Sequence, residues 1–506
     1  MTTRATRFCA LPLLIVSTVA VSAAEKTDWR FDLRFAPEVH QKPYTGRVYL
    51  FFSRIHREPR RGPNWFRPEL FVAQDVQDWK PGTILRFSAT AAKRLLAYPV
   101  PLKEMRLTGY RAQAVVRFNP FDRNVGTGVG NGYSPVLTVQ QPQRDAKPLL
   151  LIDRLVPPRK FVETRWSRLL RIRSKRLSKF HGRDVFLKAA IILPVSYYDQ
   201  PARRYPTIFT IPGFGGTHFR GIRNRPVSEQ NARSVEFLRV LLDPSCPLGH
   251  HVFADSANNG PVGTALIREL IPELDRRFRS IAEPSARFLT GHSSGGWSSL
   301  WLQVAYPDQF GGTWSTAPDP VDFRDFQRID LYRPSENMYV DAQGNRRPLA
   351  RVRGRVLLWY KGFADMERVL GPGGQLHSFE AVFSPRGKDG KPRLLWDRKT
   401  GRIDTHVAKT WEKYDIRLVL ERNWKTLGPK LAGKLHIHTG DADTFYLEGA
   451  VKLLKQSLKD LHSDAVVEIH PGRDHMNLLD RSLRNRIRRE MVAVFLKTHP
   501  RYGTGH

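Results

Sequence analysis

The chain contains very little cysteine, with two residues in 506, Cys9 and Cys246. Cys9 lies at the start of an apolar N-terminal run, so Cys246 is the only cysteine beyond that run. One cysteine cannot form an internal disulfide, which excludes a disulfide-stapled secreted module. No motif surrounds Cys246, and we interpret it as a packed thiol rather than as a nucleophile.

Acidic residues are scarce relative to basic ones: 48 Asp and Glu stand against 82 Lys and Arg, for a net charge of +34. Such a charge can indicate a nucleic-acid or anionic-surface partner. Here the basic residues are dispersed, with clusters at 168–179 and 481–489, and no zinc-finger spacing accompanies them. We therefore predict no nucleic-acid partner, and contact with an anionic envelope polymer stays open as an alternative.

Long apolar runs are missing after the first two dozen residues. At the start, Arg4 and Arg7 precede an apolar segment at 8–21, and Ser-Ala-Ala follows at 22–24. A basic start, a short apolar run and small residues are typical of a cleavable secretory signal peptide. We predict a signal peptide at 1–24, a periplasmic or secreted protein, and no transmembrane segment after cleavage.

The remaining chain changes its pattern once. Residues 25–156 contain short alternating runs separated by Pro, Gly and Asn clusters, which predicts a small β-sandwich-like domain. Residues 157–183 are basic and are interpreted as a linker. From 184 to 500 strands alternate with helical segments, which predicts a mostly parallel sheet with helices on both faces. We expect an insertion at about 320–430 to form a lid or wall of the site.

Two shorter predictions concern elements inside the alternating region. Residues 228–242 place Val235, Leu238 and Leu242 at helical spacing, which predicts a helix. Residues 252–254 are apolar and predict a short strand.

The strongest chemical motif is Gly-x-Ser-x-Gly at 291–295, with Ser293 at its centre. An apolar strand precedes it and a helical segment follows it, as in a nucleophile elbow. The glycines would let the sharp turn close. The start of the helix would direct the backbone N–H of Ser294 at a developing oxyanion.

A serine nucleophile requires a base and an acid. His475 lies in the loop after the last predicted strand, at 465–469, and we predict it as the base in preference to His470. Asp441 and Asp443 both lie in the loop after strand 435–439. We prefer Asp443 as the acid, because the loop needs a residue or two to turn before it reaches His475.

The second oxyanion donor is predicted in the glycine-rich loop at 212–216, where the backbone N–H of Phe214 or Gly215 would pair with that of Ser294. His436 and His438 lie on one face of a strand, as in some metal pairs. No third ligand stands at motif spacing, so we predict no metal and no cofactor.

Residues 184–500 resemble the esterase family of α/β-hydrolases, the esterase D and enterochelin esterase-like group. The resemblance rests on 205–216, 269–272, 290–296, 440–443 and 472–475. It implies Ser293 as nucleophile, Asp443 as acid and His475 as base, and an α/β-hydrolase fold preceded by a small all-β domain. Pro212 departs from the histidine usual at the start of the oxyanion loop, and the insertion is not a common family feature.

We therefore predict a secreted or periplasmic serine hydrolase that cleaves carboxylic esters of a small molecule, a carbohydrate or a lipid through an acyl-enzyme. Acyl transfer to a sugar or lipid acceptor is one alternative. A catalytically inactive envelope-binding protein is the other. The oligomeric state stays open.

Overall fold

The computed structural model of the chain describes residues 29–90, 95–140, 148–227 and 235–503. The predicted signal peptide lies outside the described residues. Within these ranges, no helix is long and apolar enough to cross a membrane.

The N-terminal part is built from β-strands whose alternating apolar residues face a common core. The strands are β1 (Arg30–Phe35), β2 (Tyr44–Ser53), β3 (Phe71–Trp79), β4 (Leu85–Ser88), β5 (Leu95–Tyr98), β6 (Arg111–Val116), β7 (Gly132–Tyr133), β8 (Leu137–Thr138), β9 (Leu149–Ile152) and β10 (Arg154–Leu155). In the described residues they form a sheet of order β4-β1-β9 and a larger sheet of order β10-β7-β6-β2-β3-β5, with β8 paired to β6. Phe31, Phe35, Phe52 and Phe87 are buried between them. The predicted all-β domain is confirmed.

The second part is organised around one large sheet. The strands of the large sheet are β11 (Ser167–Arg173), β12 (Phe186–Ile192), β13 (Thr207–Ile211), β14 (Leu238–Leu242), β17 (Arg287–His292), β18 (Gly312–Thr316), β21 (Leu435–Gly440) and β22 (Val466–His470). Two separate hairpins are formed by β15 (Ser245–Cys246) with β16 (Gly249–His250) and by β19 (Pro348–Val352) with β20 (Arg355–Trp359). Over the described ranges the sheet has the order β11-β12-β14-β13-β17-β18-β21-β22. Strand β12 is antiparallel to both neighbours, and the strands from β14 to β22 in that order are parallel.

Helices cover both faces of this sheet. They are α1 (Lys175–His181), α2 (Val262–Ala265), α3 (Ile271–Arg277), α4 (Ser294–Ala305), α5 (Tyr360–Leu370), α6 (Gln375–Phe383), α7 (Thr405–Trp411), α8 (Ile416–Leu431), α9 (Glu448–Asp460) and α10 (Arg481–Thr498). Helix α10 packs against Ile208 and Phe288, whereas α3 packs on the face that carries Phe209 and Leu289. Because successive strand residues point to opposite faces, these neighbours place the helices on both sides. The predicted mostly parallel architecture is confirmed.

Three local expectations need revision. The predicted helix at 228–242 is wrong where it is described, because Leu238–Leu242 forms β14 in the middle of the sheet. The buried apolar residues of 238–242 also occur at every second position, as in a strand. Burial of this segment between β12 and β13 favours the strand over the helix. The predicted strand at 252–254 is a turn, with positive φ at Val252 and Phe253. The basic segment 157–183 contributes β11 to the sheet edge.

The N-terminal domain docks onto the insertion through the end of α5. The guanidinium of Arg47 donates to the carbonyl oxygens of Arg368 and Val369, at 2.8 and 3.0 Å, and the hydroxyl of Tyr49 donates to that of Leu370 at 2.7 Å. The last carbonyls of a helix have no partner within the helix and carry its partial negative charge. Side chains of the β-domain therefore cap a helix of the insertion.

We expect Tyr49→Phe to lower the thermal unfolding midpoint. The variant leaves the Leu370 carbonyl without this donor, which costs about 1–2 kcal/mol. Differential scanning calorimetry measures the change. The matched control is Tyr110→Phe in the same domain. The ring of Tyr110 packs beneath the guanidinium of Arg54 and does not belong to the contact with α5. Equal midpoints for the two variants would contradict a docking role for Tyr49.

Candidate active site

Ser293 lies at the sharp turn between β17 and α4 and has a strained backbone. Its φ is 62° and its ψ is −128°, a region that residues with a side chain rarely adopt. A Cβ on Gly291 would lie 2.0 Å from the carbonyl oxygen of Gly295, and one on Gly295 would lie 1.9 Å from that of Ile211. Glycine is therefore required at both positions. Ser293 itself is half-buried and lies at the carboxyl end of β17.

The structure brings His475 and Asp443 together from the loops after β22 and β21. Nδ1 of His475 lies 2.8 Å from Oδ2 of Asp443, and both residues are buried. Oδ1 of Asp443 accepts the backbone N–H of Phe445 at 2.8 Å, which fixes the carboxylate. Asp441 is exposed and accepts the N–H of Gly472, so it acts as a turn residue.

His475 carries an altered pKa. Burial lowers it, but the charge and hydrogen bond of Asp443, followed by the charge of Asp319, outweigh burial and raise the pKa of His475 above 6.5. The ring of Phe445 stands edge-on to the imidazole, with centroids 5.0 Å apart. The neighbouring carboxylates therefore stabilise the imidazolium form of His475.

A third carboxylate, Asp319, lies beside Ser293, and the sequence analysis missed it. Ser294 Oγ donates to its Oδ2 at 2.6 Å, and Ser293 Oγ lies 3.5 Å from its Oδ1. Burial raises the pKa of Asp319 to about 6. Across the described residues no hydrogen bond joins Ser293 to His475. Asp319 follows β18, the strand next to β17. Its position after the carboxyl end of a neighbouring strand is the sequence feature that could have indicated it as a site residue.

The glycine-rich loop after β13 lies against Ser293. A Cβ on Gly213 would lie 3.2 Å from the Ser293 Cβ. Gly213 and Phe214 line the cavity that contains Ser293, whereas Gly215 turns away with a φ of 80°. A Cβ on Gly215 would lie 3.2 Å from a guanidinium nitrogen of Arg123.

An imidazole from elsewhere holds the loop that begins at Pro212. Nε2 of His250 lies 2.9 Å from the Pro212 carbonyl oxygen, and the N–H of Val252 donates to Nδ1 of the same ring at 3.1 Å. Nδ1 is thus an acceptor and Nε2 the donor. Burial lowers the pKa of His250 to about 4, which keeps the ring neutral. His250 lies on the β15–β16 hairpin, where no sequence motif indicated it.

Ser293 and His475 open into one cavity of about 810 Å³. Three aromatic rings from different parts of the chain meet at its wall. Trp65 of the N-terminal domain stacks on Phe214 with centroids 5.4 Å apart and meets Phe363 of α5 edge-on at 5.1 Å. The insertion also contributes Leu349, Leu358, Gln375, Leu376 and Phe379.

This arrangement defines the class of protein. A strained serine between a parallel strand and a helix, with aspartate and histidine on later loops of the same sheet edge, is the organisation of an α/β-hydrolase. A family model described as "Putative esterase" matches residues 183–476, more than half of the chain. The chain belongs to this esterase family, and it is a carboxylic-ester hydrolase.

Solved structures of similar fold include an S-formylglutathione hydrolase from Agrobacterium tumefaciens, with 13% identity and a TM-score of 0.38 over 65% of this chain and 94% of that one. A fluorophosphonate-binding serine hydrolase from Staphylococcus aureus has 14% identity and a TM-score of 0.38, over 65% and 98%. A ferulic acid esterase from Anaeromyces mucronatus has 15% identity and a TM-score of 0.32, over 67% and 93%. No curated protein sequence matched the chain.

We expect Asp319→Asn to shift the acid limb of the kcat/KM profile to lower pH. The charge of Asp319 contributes to the raised pKa of His475, and a general base must be neutral to act. With His475 as the base, we expect the parent enzyme to lose activity as the pH falls through this raised pKa, and we expect Asp319→Asn to stay active to lower pH. Rates measured from pH 5 to 9 test the shift.

The control for this profile is Asp308→Asn, which removes an exposed carboxylate that pairs with Lys430 at the surface. Its acid limb should coincide with that of the parent. An unchanged or upward-shifted limb in Asp319→Asn would show that Asp319 does not act on the imidazole.

Proposed function

We propose that the enzyme cleaves esters through a covalent acyl-enzyme on Ser293, with His475 as general base and Asp443 as the acid that orients it. His475 would take the hydroxyl proton while Oγ bonds to the substrate carbonyl carbon, then pass that proton to the departing alcohol. Water would attack the acyl-enzyme by the same route and release the acid. The observation that carries the proposal is the strained Ser293 in one cavity with the His475–Asp443 pair.

The proposal requires Ser293 to turn its hydroxyl from Asp319 toward His475. The 3.5 Å contact with Asp319 is long for an O–H donor, so little is lost by leaving it. Catalytic hydrogen bonds are often loose without substrate and tighten in the complex. A substrate carbonyl between Ser293 and the glycine loop would favour the rotamer that faces His475.

The oxyanion would be held by the backbone N–H of Ser294 and by that of Phe214. Ser294 is the first residue of α4, so its N–H belongs to the group that has no partner within the helix. Of the two predicted residues in the glycine loop, Phe214 lines the cavity and Gly215 lies against Arg123, which favours Phe214. His250 would position this donor by holding Pro212.

The cavity favours an ester with an apolar group of moderate size. Its volume lies within the range of small-molecule sites, about 300–1,000 Å³. The apolar and aromatic side chains of the insertion and Trp65 would bury that group. Arginines also line the cavity and would suit a polar or anionic portion of the same substrate: Arg220, Arg223, Arg239 and Arg484.

We also propose that the enzyme acts outside the cytoplasm. The support is the basic, apolar and small-residue sequence at 1–24. N-terminal sequencing of the protein recovered from cell fractions would test it. A mature protein that retains residues 1–24 would contradict export by cleavage.

Ser293→Ala should lower release of p-nitrophenol from short acyl esters by at least about 10⁴-fold, because it removes the attacking atom. An organophosphonate probe should add one mass increment to the peptide that contains residue 293. Ser299→Ala is the matched control, because Ser299 lies on the same helix with its hydroxyl bonded to the Gly296 carbonyl. Parent-level turnover or labelling elsewhere in Ser293→Ala would rule out this nucleophile.

Product analysis separates hydrolysis from acyl transfer. With an added carbohydrate or lipid alcohol, hydrolysis predicts the free acid as the product, whereas transfer predicts a new ester. Exclusive formation of the new ester would show that the acyl group is transferred to the added alcohol and not to water.

Trp65→Ala should raise KM about fivefold to tenfold for esters with an aromatic acyl group, while kcat changes less. An aromatic contact contributes about 1 kcal/mol beyond burial, and Trp65 lines the cavity without supplying a group to the proposed reaction. Trp65→Phe should restore most of the affinity. A fall in kcat at constant KM would instead assign Trp65 to positioning of the Phe214 loop.

A further inference from the structure

A cluster of three potential metal ligands lies near the active site, on the two strands that lead to Asp443 and His475. His438 is on β21, and Glu468 and His470 are on β22, the adjacent parallel strand. His438 is directly opposite Glu468 in the register, and Glu468 and His470 share one face because they are two residues apart. No sequence motif indicates this cluster, because its ligands come from two different strands.

The three ligand atoms form a nearly regular triangle. Nδ1 of His438 lies 3.2 Å from Nε2 of His470, and these nitrogens lie 3.8 and 3.7 Å from Oε2 of Glu468. A point in their plane is about 2.1 Å from each atom, which matches Zn–N and Zn–O bond lengths. We propose that His438, Glu468 and His470 bind a zinc ion through these atoms.

The surroundings keep each ligand in its binding form. Burial lowers the pKa of His438 to about 4 and also lowers the pKa of His470, so both imidazoles are neutral. The Arg486 hydrogen bond lowers the pKa of Glu468, so the carboxylate is ionised. Neutral imidazole and carboxylate are the forms that bind zinc.

Arg486 is the main opposing charge. Its Nη1 donates to Oε2 of Glu468 at 2.9 Å, and its Nε donates to Oε1 of Glu490 at 2.8 Å. Glu490 thus offsets part of the arginine charge. A carboxylate oxygen has a second lone pair, so Oε2 can bind Arg486 and a metal together. In that role Arg486 orients the carboxylate, as the outer partners of metal ligands commonly do.

Burial and access are compatible with an ion. His438 is fully buried, whereas the side chains of His470 and Glu468 are 23% and 35% exposed, so an ion could enter from solvent with water as a further ligand. Nε2 of His438 is buried without a hydrogen-bond partner. This nitrogen lacks a partner whichever of the two His438 ring nitrogens carries the proton. Zinc binding through Nδ1 therefore leaves no additional buried atom without a partner.

The ion would join β21 and β22 immediately before the two active-site loops. These loops are already tied together, since Asp441 N–H donates to the His470 carbonyl and Ala442 N–H to that of Arg473, both at 3.1 Å. We assign the ion a structural role that holds the two loops in register. Zinc binding itself does not depend on the proposed catalytic roles.

The test uses the full chain without a histidine tag, stripped by a chelator and then titrated with Zn²⁺. We expect one zinc per chain by elemental analysis and a rise in the thermal midpoint of several degrees. Titration with Co²⁺ should give the visible absorption of a low-coordinate N,O site. Absence of both the midpoint rise and the cobalt spectrum in the parent protein would overturn the proposal.

Variants locate the site. His470→Gln and Glu468→Gln should each weaken zinc binding by at least about tenfold. His406→Gln, whose side chain is 93% exposed on α7, is the matched control and should bind zinc as the parent does. Stoichiometric zinc with unchanged affinity in both ligand variants would place the ion elsewhere and contradict the assignment. Organophosphonate labelling of Ser293 in the stripped protein reports separately on the catalytic proposal.

Discussion

The close packing of β13, β17 and the start of α4 is the constraint on which the site depends. Gly295 lies directly against the Ile211 carbonyl, so the chain can turn only through the strained conformation at Ser293. Two backbone hydrogen bonds hold Ser293 in this strained conformation. Ser293 N–H donates to the Thr316 carbonyl at 3.0 Å, and the Ser293 carbonyl accepts from Asp319 N–H at 3.2 Å. The strand that supports the elbow therefore also brings Asp319 to the serine.

The N-terminal domain is part of the active-site structure rather than a separate attachment. Its arginine and tyrosine side chains cap the end of α5, and the same helix carries Phe363 into the cavity. Trp65 and Arg123 then cover the ring of Phe214 from the domain side, with Arg123 4.4 Å from the ring centroid. Docking of the β-domain thus forms part of the cavity wall and packs side chains on the ring of Phe214. An insertion without this cap would leave helix carbonyls unpaired.

Local sequence patterns predicted the site residues that a short motif or a single loop contains. They did not predict the residues that reach the site from other strands or from the other domain. Ser293 and the His475 and Asp443 loops follow from strand–turn signals and chain order. Asp319, His250 and Trp65 reach the site from other elements, and no spacing in the chain encodes their distance to it. Of the His436–His438 pair only His438 belongs to the proposed metal cluster, and its two partners, Glu468 and His470, lie on the neighbouring strand, where spacing along the chain does not reveal them. The error at 238–242 has a related cause, since short apolar runs fit both periods and tertiary burial decides between them.

In the proposed mechanism, Asp443 and Asp319 would affect catalysis differently. Asp443 shares a hydrogen bond with Nδ1 of His475, and its charge stabilises the imidazolium. Asp319 also stabilises the imidazolium, but it lies beside Ser293, where its negative charge would oppose the proposed oxyanion. The hydrogen bond from Ser294 and the amide of Gln375 at 3.3 Å draw part of that charge away from the serine. Because the pKa of Asp319 is about 6, ionisation of Asp319 near this pH would strengthen the proposed base, His475, and at the same time destabilise the proposed oxyanion.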